Sequence, residues 1–104
     1  MTLTELQAML AGIDPDIRHG WTMATGRDYT YWEESDRLTL AGDDRPVESG
    51  WVFYVHRFSK RNVDPVAEAI WEALNALPNV AVRQADSYEP DTGYTHHAFR
   101  CEVV

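Results

Sequence analysis

The run Gly50-Trp51-Val52-Phe53-Tyr54-Val55-His56-Arg57-Phe58-Ser59 constrains this chain more than any other stretch, because it is the longest apolar segment and the richest in β-forming residues. Side chains of a strand alternate between faces, so Trp51, Phe53 and Val55 point to one side of a sheet and Val52, Tyr54 and Phe58 to the other. Both sides are apolar. A strand wetted on one side reads as apolar alternating with polar, so this strand is either central in a sheet covered on both sides or buried on its second face by another subunit.

The flanking segments supply one cover. Thr2-Leu3-Thr4-Glu5 fits a capping box, and Leu3, Leu6, Met9, Leu10 and Ile13 follow at helical spacing, with the helix ending at Gly12 or at Asp14-Pro15. Asp64-Pro65 is an N-cap acceptor followed by proline at the first helical position. Behind it Val66, Ile70, Ala73, Leu74 and Leu77 form a stripe with Trp71 at its edge, closed by Pro78-Asn79. This second helix has the length and face to cover one side of the sheet.

Tyr29 to Glu34 is aromatic and β-branched, and Leu38-Thr39-Leu40 reads as a shorter strand after it. Ile17 to Trp21 has strand composition, but Gly20 and Gly26 make the segment to Asp28 mostly an irregular connection. Ala41 to Pro46 is a loop by composition. Val80–Tyr88 and Tyr94–Val104 read as two strands joined by Glu89-Pro90-Asp91-Thr92-Gly93, where glycine can take a positive φ. In the last strand Phe99, Cys101 and Val103 share one face and Arg100 and Glu102 the other. The expected fold is a single α+β domain over residues 1–104, with a mainly antiparallel sheet of four to five strands, two helices and the order α-β-β-β-α-β-β.

A chain of 104 residues buries enough surface to need no metal or disulfide staple. Nine Lys and Arg against seventeen Asp and Glu leave a formal net charge of −8, which opposes attraction to phosphate backbones and anionic lipids. Direct nucleic-acid binding and membrane binding are therefore not expected. One cysteine cannot form an internal disulfide, no secretory n-region and h-region pattern opens the chain, and no apolar run spans a bilayer. Together these point to a protein made in a reducing cytoplasm.

Catalytic signals are sparse. His96 and His97 are adjacent in a strand and must face opposite ways, so they do not chelate one ion together; His19 and His56 are the remaining histidines that folding can bring near them. Cys101 lies mid-strand beside apolar neighbours, as a small buried hydrophobe does. Glu33-Glu34 and Asp43-Asp44 read as surface acids. No glycine-rich phosphate loop, G-x-S-x-G or H-E-x-x-H motif is present, so no catalytic residue, cofactor or metal is expected. Core filling accounts for most of the four Trp, five Tyr and three Phe, yet one helix covers one face only, the other face of the central strand still presents Val52, Tyr54 and Phe58, and a leftover apolar face usually means an interface. On this reading Tyr54 and Phe58, with Asp43, Asp44 and Arg45 of the exposed loop, are the expected subunit-contact residues.

Three phrases carry a resemblance. They are Tyr29-Thr30-Tyr31-Trp32 after the Ile17–Trp21 segment; Val52 to Lys60 running into Asp64-Pro65; and Tyr88-Glu89-Pro90-Asp91-Thr92-Gly93-Tyr94-Thr95-His96-His97, an acid-Thr-Gly-Tyr turn followed by His and an amphipathic last strand. With the order of elements, they make the chain resemble the tail-terminator, or tail-completion, proteins of long-tailed bacteriophages and prophages. Gly26-Arg27-Asp28 stands where those proteins often carry a proline-rich lead-in, and Cys101 has no obvious role in the family.

The resemblance implies a non-enzymatic virion protein, present in the host cytoplasm during assembly. It would form a six-membered homo-oligomeric ring on the tail tube, contacting tail-tube and head-completion proteins, and its negative charge would keep passing DNA from sticking. A head–tail adaptor other than the terminator shares this assembly logic. From a different class, an α+β ligand-binding module or enzyme with an aromatic-floored pocket would gather polar groups such as His56, His97 and Tyr54 around a concave site.

Overall fold

The computed structural model describes residues 1–35 and 47–104. Its elements are α1 (Leu3–Ile13), β1 (Arg18–His19), β2 (Tyr29–Glu34), β3 (Val52–Ser59), α2 (Pro65–Asn75), β4 (Val80–Glu89) and β5 (Tyr94–Val103). The five strands form one sheet in the order β1-β2-β3-β5-β4, antiparallel throughout except where β1 runs parallel to β2. This is the expected α+β class and element order. One detail differs: the first strand is Arg18–His19, two residues long, within a segment that reads as connection because Gly20 ends it. The short strand read at Leu38–Leu40 lies outside the described residues.

Local chemistry sets the helix ends. The Thr2 hydroxyl accepts from the Glu5 amide while Glu5 reaches back to the Thr2 amide, completing the capping box of α1. Asp64 caps α2 by accepting from the amides of Val66 and Ala67, with Pro65 behind it. Gly93 supplies a φ of +80° in the turn between β4 and β5, and its amide donates to the Glu89 carbonyl at 2.8 Å.

Both helices lie on the same face of the sheet. Leu3, Leu6 and Leu10 of α1 and Ala67, Ile70 and Leu74 of α2 pack with Trp32, Phe53, Val55, Phe99 and Cys101 in one core. The register explains this set, since Trp32, Val55 and Phe99 lie opposite one another on β2, β3 and β5, as do Phe53 and Cys101. Burial of each large aliphatic side chain here contributes roughly 1.5–3 kcal/mol. Cys101 is fully buried and its thiol is pushed up to about 12 by desolvation, in keeping with its reading as a core hydrophobe.

One charged cluster lies at the end of this core. Arg57 of β3, with its side chain 7% exposed, donates from Nε to Asp64 Oδ2 at 2.7 Å and from Nη2 to Asp64 Oδ1 at 3.3 Å. Its Nη1 reaches Thr30 Oγ1 at 3.2 Å and Asp14 at 3.5 Å, and its Nη2 lies 3.7 Å from Asp28. Burial acts to raise the Asp64 carboxyl, but the Arg57 hydrogen bonds and charge, with the two cap amides, outweigh it and hold the group below its ordinary value. Asp28 also accepts from the Ser59 hydroxyl and the Lys60 amide. Thus the end of α1, the start of β2, the end of β3 and the start of α2 meet at one guanidinium.

Removing one partner of a buried pair leaves the other charge unpaired, at a cost of about 3–5 kcal/mol. Arg57→Met is therefore expected to lower the urea midpoint by that equivalent. Adding Asp64→Asn, which removes the stranded charge and keeps a cap acceptor, is expected to recover part of the loss; no recovery would place the cost elsewhere.

Candidate interaction surface

The face of the sheet turned away from the helices is closed at one end and, among the described residues, only partly covered at the other. At the closed end Tyr29, Phe58 and His96 lie side by side on β2, β3 and β5, their rings stacked with centroids 4.7 Å and 4.2 Å apart. Tyr94 meets Tyr29 and Phe58 edge-on. Its hydroxyl donates to the carbonyls of Ala24 and Arg27 at 3.2 Å and 2.5 Å, which ties the segment between β1 and β2 to this face. Tyr29, Tyr31, Phe58 and Tyr94 form a second buried cluster with Ala24 packed against it.

Strand alternation puts Phe58 on this face as expected, but its aromatic neighbours leave it only 8% exposed. It is thereby corrected from an exposed contact residue to an internal one, because the β1–β2 segment and the rings beside it already cover it. Tyr54 remains half-buried, next to Val52. Cross-strand neighbours at this open end are Arg100 and Glu102 on β5 and Ala81 and Arg83 on β4, so the face is small and polar there rather than purely apolar. Asp43, Asp44 and Arg45 lie outside the described residues.

Between the two ends runs a chain of polar contacts in which His56 does come beside His96, as the sequence left open, while its link to Glu33 went unread. His56 Nε2 is 2.9 Å from Glu33 Oε2, and His56 Nδ1 is 2.8 Å from His96 Nε2. Tyr31 stacks on His56 at 4.6 Å and Tyr54 lies 6.0 Å from it. Since His56 uses opposite ring nitrogens for its two partners, the three groups form a line, not a chelate. Among the described residues no group of three ligating side chains is placed to hold a metal. The only sequence signal for this line was period two on adjacent strands, and it needed the β3–β5 register to become visible.

His97 faces the helix side, as alternation requires, with Nδ1 3.0 Å from Asp86 Oδ1 and a buried Nε2 that has no partner among the described residues. Burial acts to raise the Asp86 carboxyl, yet hydrogen bonds from Gln84 and His97 and the histidine charges hold it below its ordinary value. His19 instead stacks on Trp32 at 3.9 Å and pairs with Glu34 at 2.6 Å. His56 and Tyr54 therefore do not converge with His97. A different concavity does exist, a cavity of about 390 Å³ floored by Tyr29, Tyr31, Phe58 and Tyr94 and walled by residues 21–26.

The chain matches no protein-family model, and a search of the curated proteins finds no similar one. No helix among the described residues is long and apolar enough to cross a membrane.

Desolvation, then the neighbouring His56 and His97 charges, lower the His96 pKa below 6.5, against the opposing pull of Glu89 and Asp86. Between its folded and unfolded values the unfolded chain binds the extra proton, so stability falls as pH drops from about 6.5 toward the folded value. His96→Gln is expected to flatten that part of a stability–pH curve, with NMR titration showing the wild-type ring protonating below its ordinary range. The Cys101 thiol is expected to resist alkylation until the protein unfolds; fast labelling of the native state would contradict its burial.

Proposed function

We propose that this chain is a structural protein of a long-tailed phage or prophage virion, which assembles as a ring on the tail tube and joins tail to head. The observation that carries the proposal is that both helices are spent on one face of the sheet, which leaves the Val52–Tyr54 end of the other face without cover among the described residues. A second feature supports it. β4, ten residues long, is an edge strand whose residues 83–88 are all exposed, so the sheet ends in a margin available to another chain.

The resemblance to tail terminators supplies the kind of assembly. Two of its phrases become structural parts here, since Glu89 to Tyr94 makes the β4–β5 hairpin turn and Arg57 with Asp64 forms the clamp that joins β3 to α2. The proposed role is non-enzymatic, and the expected partners are copies of the chain, tail-tube protein and head-completion protein.

A ligand-binding module is the second reading, and the aromatic-floored cavity is what favours it. The two readings differ in what Tyr54 does, because Tyr54 is absent from that cavity. Tyr54→Glu is expected to weaken self-association at least tenfold by sedimentation and to prevent decoration of tail tubes in electron micrographs, with an unchanged circular dichroism spectrum. Assembly as strong as wild type would remove the open end of the sheet as a contact.

A further inference from the structure

At the margin of the sheet formed by β4, half of the backbone groups lack a neighbouring strand. Val103 donates its amide to the Trp51 carbonyl at 2.9 Å and Val104 donates to the Asn79 carbonyl at 2.8 Å, so odd residues of β5 turn to β3 and even ones to β4. By the β4–β5 register, Ala81, Arg83, Ala85, Ser87 and Glu89 spend their backbone groups on β5. The N–H and C=O groups of Val82, Gln84, Asp86 and Tyr88 therefore point out of the sheet, and no described residue takes them up. Natural edges often carry lysine, proline or a bulge that blocks pairing. This one has none of them between Val80 and Glu89, where its register with β5 is unbroken.

The side chains of this strand select what can pair with it. Arg83 lies directly across from Arg100 on β5, an unfavourable placement of like charges. Arg100 turns to Glu102 at 3.4 Å, whereas the exposed Arg83 makes no ion pair among the described residues. Tyr88 is 64% exposed. A second β4, antiparallel about a two-fold axis normal to the sheet, keeps each face on its own side, so even residues oppose even ones and odd residues odd ones. Of the registers of this kind that engage most of the strand, those centred on Arg83 or Asp86 set a charge against itself, and the one centred on Gln84 sets Asp86 against Val82. Centring on Ala85 avoids both. It sets Val82 against Tyr88, Gln84 against Asp86, and Arg83 against Ser87, with Glu89 next along on that face and within reach of the guanidinium.

We propose that β4 of one copy pairs antiparallel with β4 of a second, with Ala85 on the two-fold axis, so that one continuous sheet crosses both copies. The occupant is a second copy because this one stretch supplies both halves of each pair: an apolar side chain for Tyr88, an amide donor for the Asp86 carboxylate, and a hydroxyl and a carboxylate for Arg83. The outward backbone groups of Val82, Gln84, Asp86 and Tyr88 meet their counterparts in pairs that each exchange two hydrogen bonds. Such a contact is isologous and closes as a dimer, so it is separate from the ring contact proposed above and does not rest on it. Tyr54 lies on β3, with β5 between it and β4, and the open end of the sheet stays free in the dimer.

Cysteine placement reads the register. Ala85→Cys, Arg83→Cys and Ser87→Cys, all at exposed positions, are treated natively with diamide as the oxidant, and wild type serves as control because Cys101 is buried. Ala85 spends its backbone groups on β5, so the two copies meet there as a non-hydrogen-bonded pair, with Cα atoms about 4.5 Å apart and within disulfide reach. Positions 83 and 87 of the two copies lie four residues from their own counterparts, roughly 13 Å along the strands. The expected result is a disulfide-linked dimer from Ala85→Cys at least tenfold faster than from the other two. Gln84→Pro removes an outward N–H and no β5 bond, and is expected to weaken dimerisation at least tenfold by sedimentation while keeping the native circular dichroism spectrum. Tyr54→Glu is expected to leave the Ala85→Cys crosslink intact while weakening assembly beyond the dimer. Equal crosslinking at the three positions, or Gln84→Pro dimerising like wild type, would overturn the pairing and leave the ring reading standing on Tyr54. Hydrogen exchange that finds the amides of Val82, Gln84, Asp86 and Tyr88 protected equally at every dilution would show the margin already covered within one chain, which also overturns it.

Discussion

Four segments distant in sequence depend on a single positive charge. Arg57 is buried near the end of the central strand, and without it Asp14, Asp28 and Asp64 would face one another with only the exposed Arg61, 3.8 Å from Asp28, left among the described residues to offset their charge. A buried ion pair is weak evidence of net stability, because desolvation consumes most of the attraction. Its value here is positional. Asp64 is at once the partner of Arg57 and the cap of α2, so the direction in which the helix leaves the sheet is tied to the direction of β3. The core of Trp32, Val55, Phe99, Ile70 and Leu74 then fills in behind a frame fixed at its end.

That frame places both helices on one side and leaves the sheet's other side to aromatic rings. A ladder of Tyr29, Phe58 and His96, capped by Tyr94 and the segment it holds, closes one end of the face without a helix. Stacked and edge-on rings suit this task because they bury large area on a flat surface with few rotatable bonds. The price is polar traffic beneath them: two imidazoles share one hydrogen-bond line with Glu33, and only one proton fits between the facing nitrogens.

Much of this fold was legible in the amino-acid order. Alternation in residues 51–59 separated the two faces correctly, capping residues marked the start of both helices, and Cys101 was identifiable as core from its neighbours alone. What escaped was everything decided by register. Phe58 carries the same alternation signal as Tyr54, yet one is buried and the other half-open, because Tyr29, His96 and Tyr94 come to lie around the first. The Arg57 cluster was hidden for a similar reason, since its acids come from positions 14, 28 and 64 and no local pattern links them. The irregular segment after Gly20 gave no hint that Tyr94 would hold it against the sheet.

The link between β3 and α2 is only five residues long, Lys60 to Asp64, and it separates Lys60 on one side of the sheet from Val63 on the other. Arg57 and Asp64 pin it at both ends, so the angle between its two sides cannot relax freely. With so short a bridge held this way, lengthening or shortening it by a single residue would have to swing α2 across the sheet or pull Asp64 off Arg57.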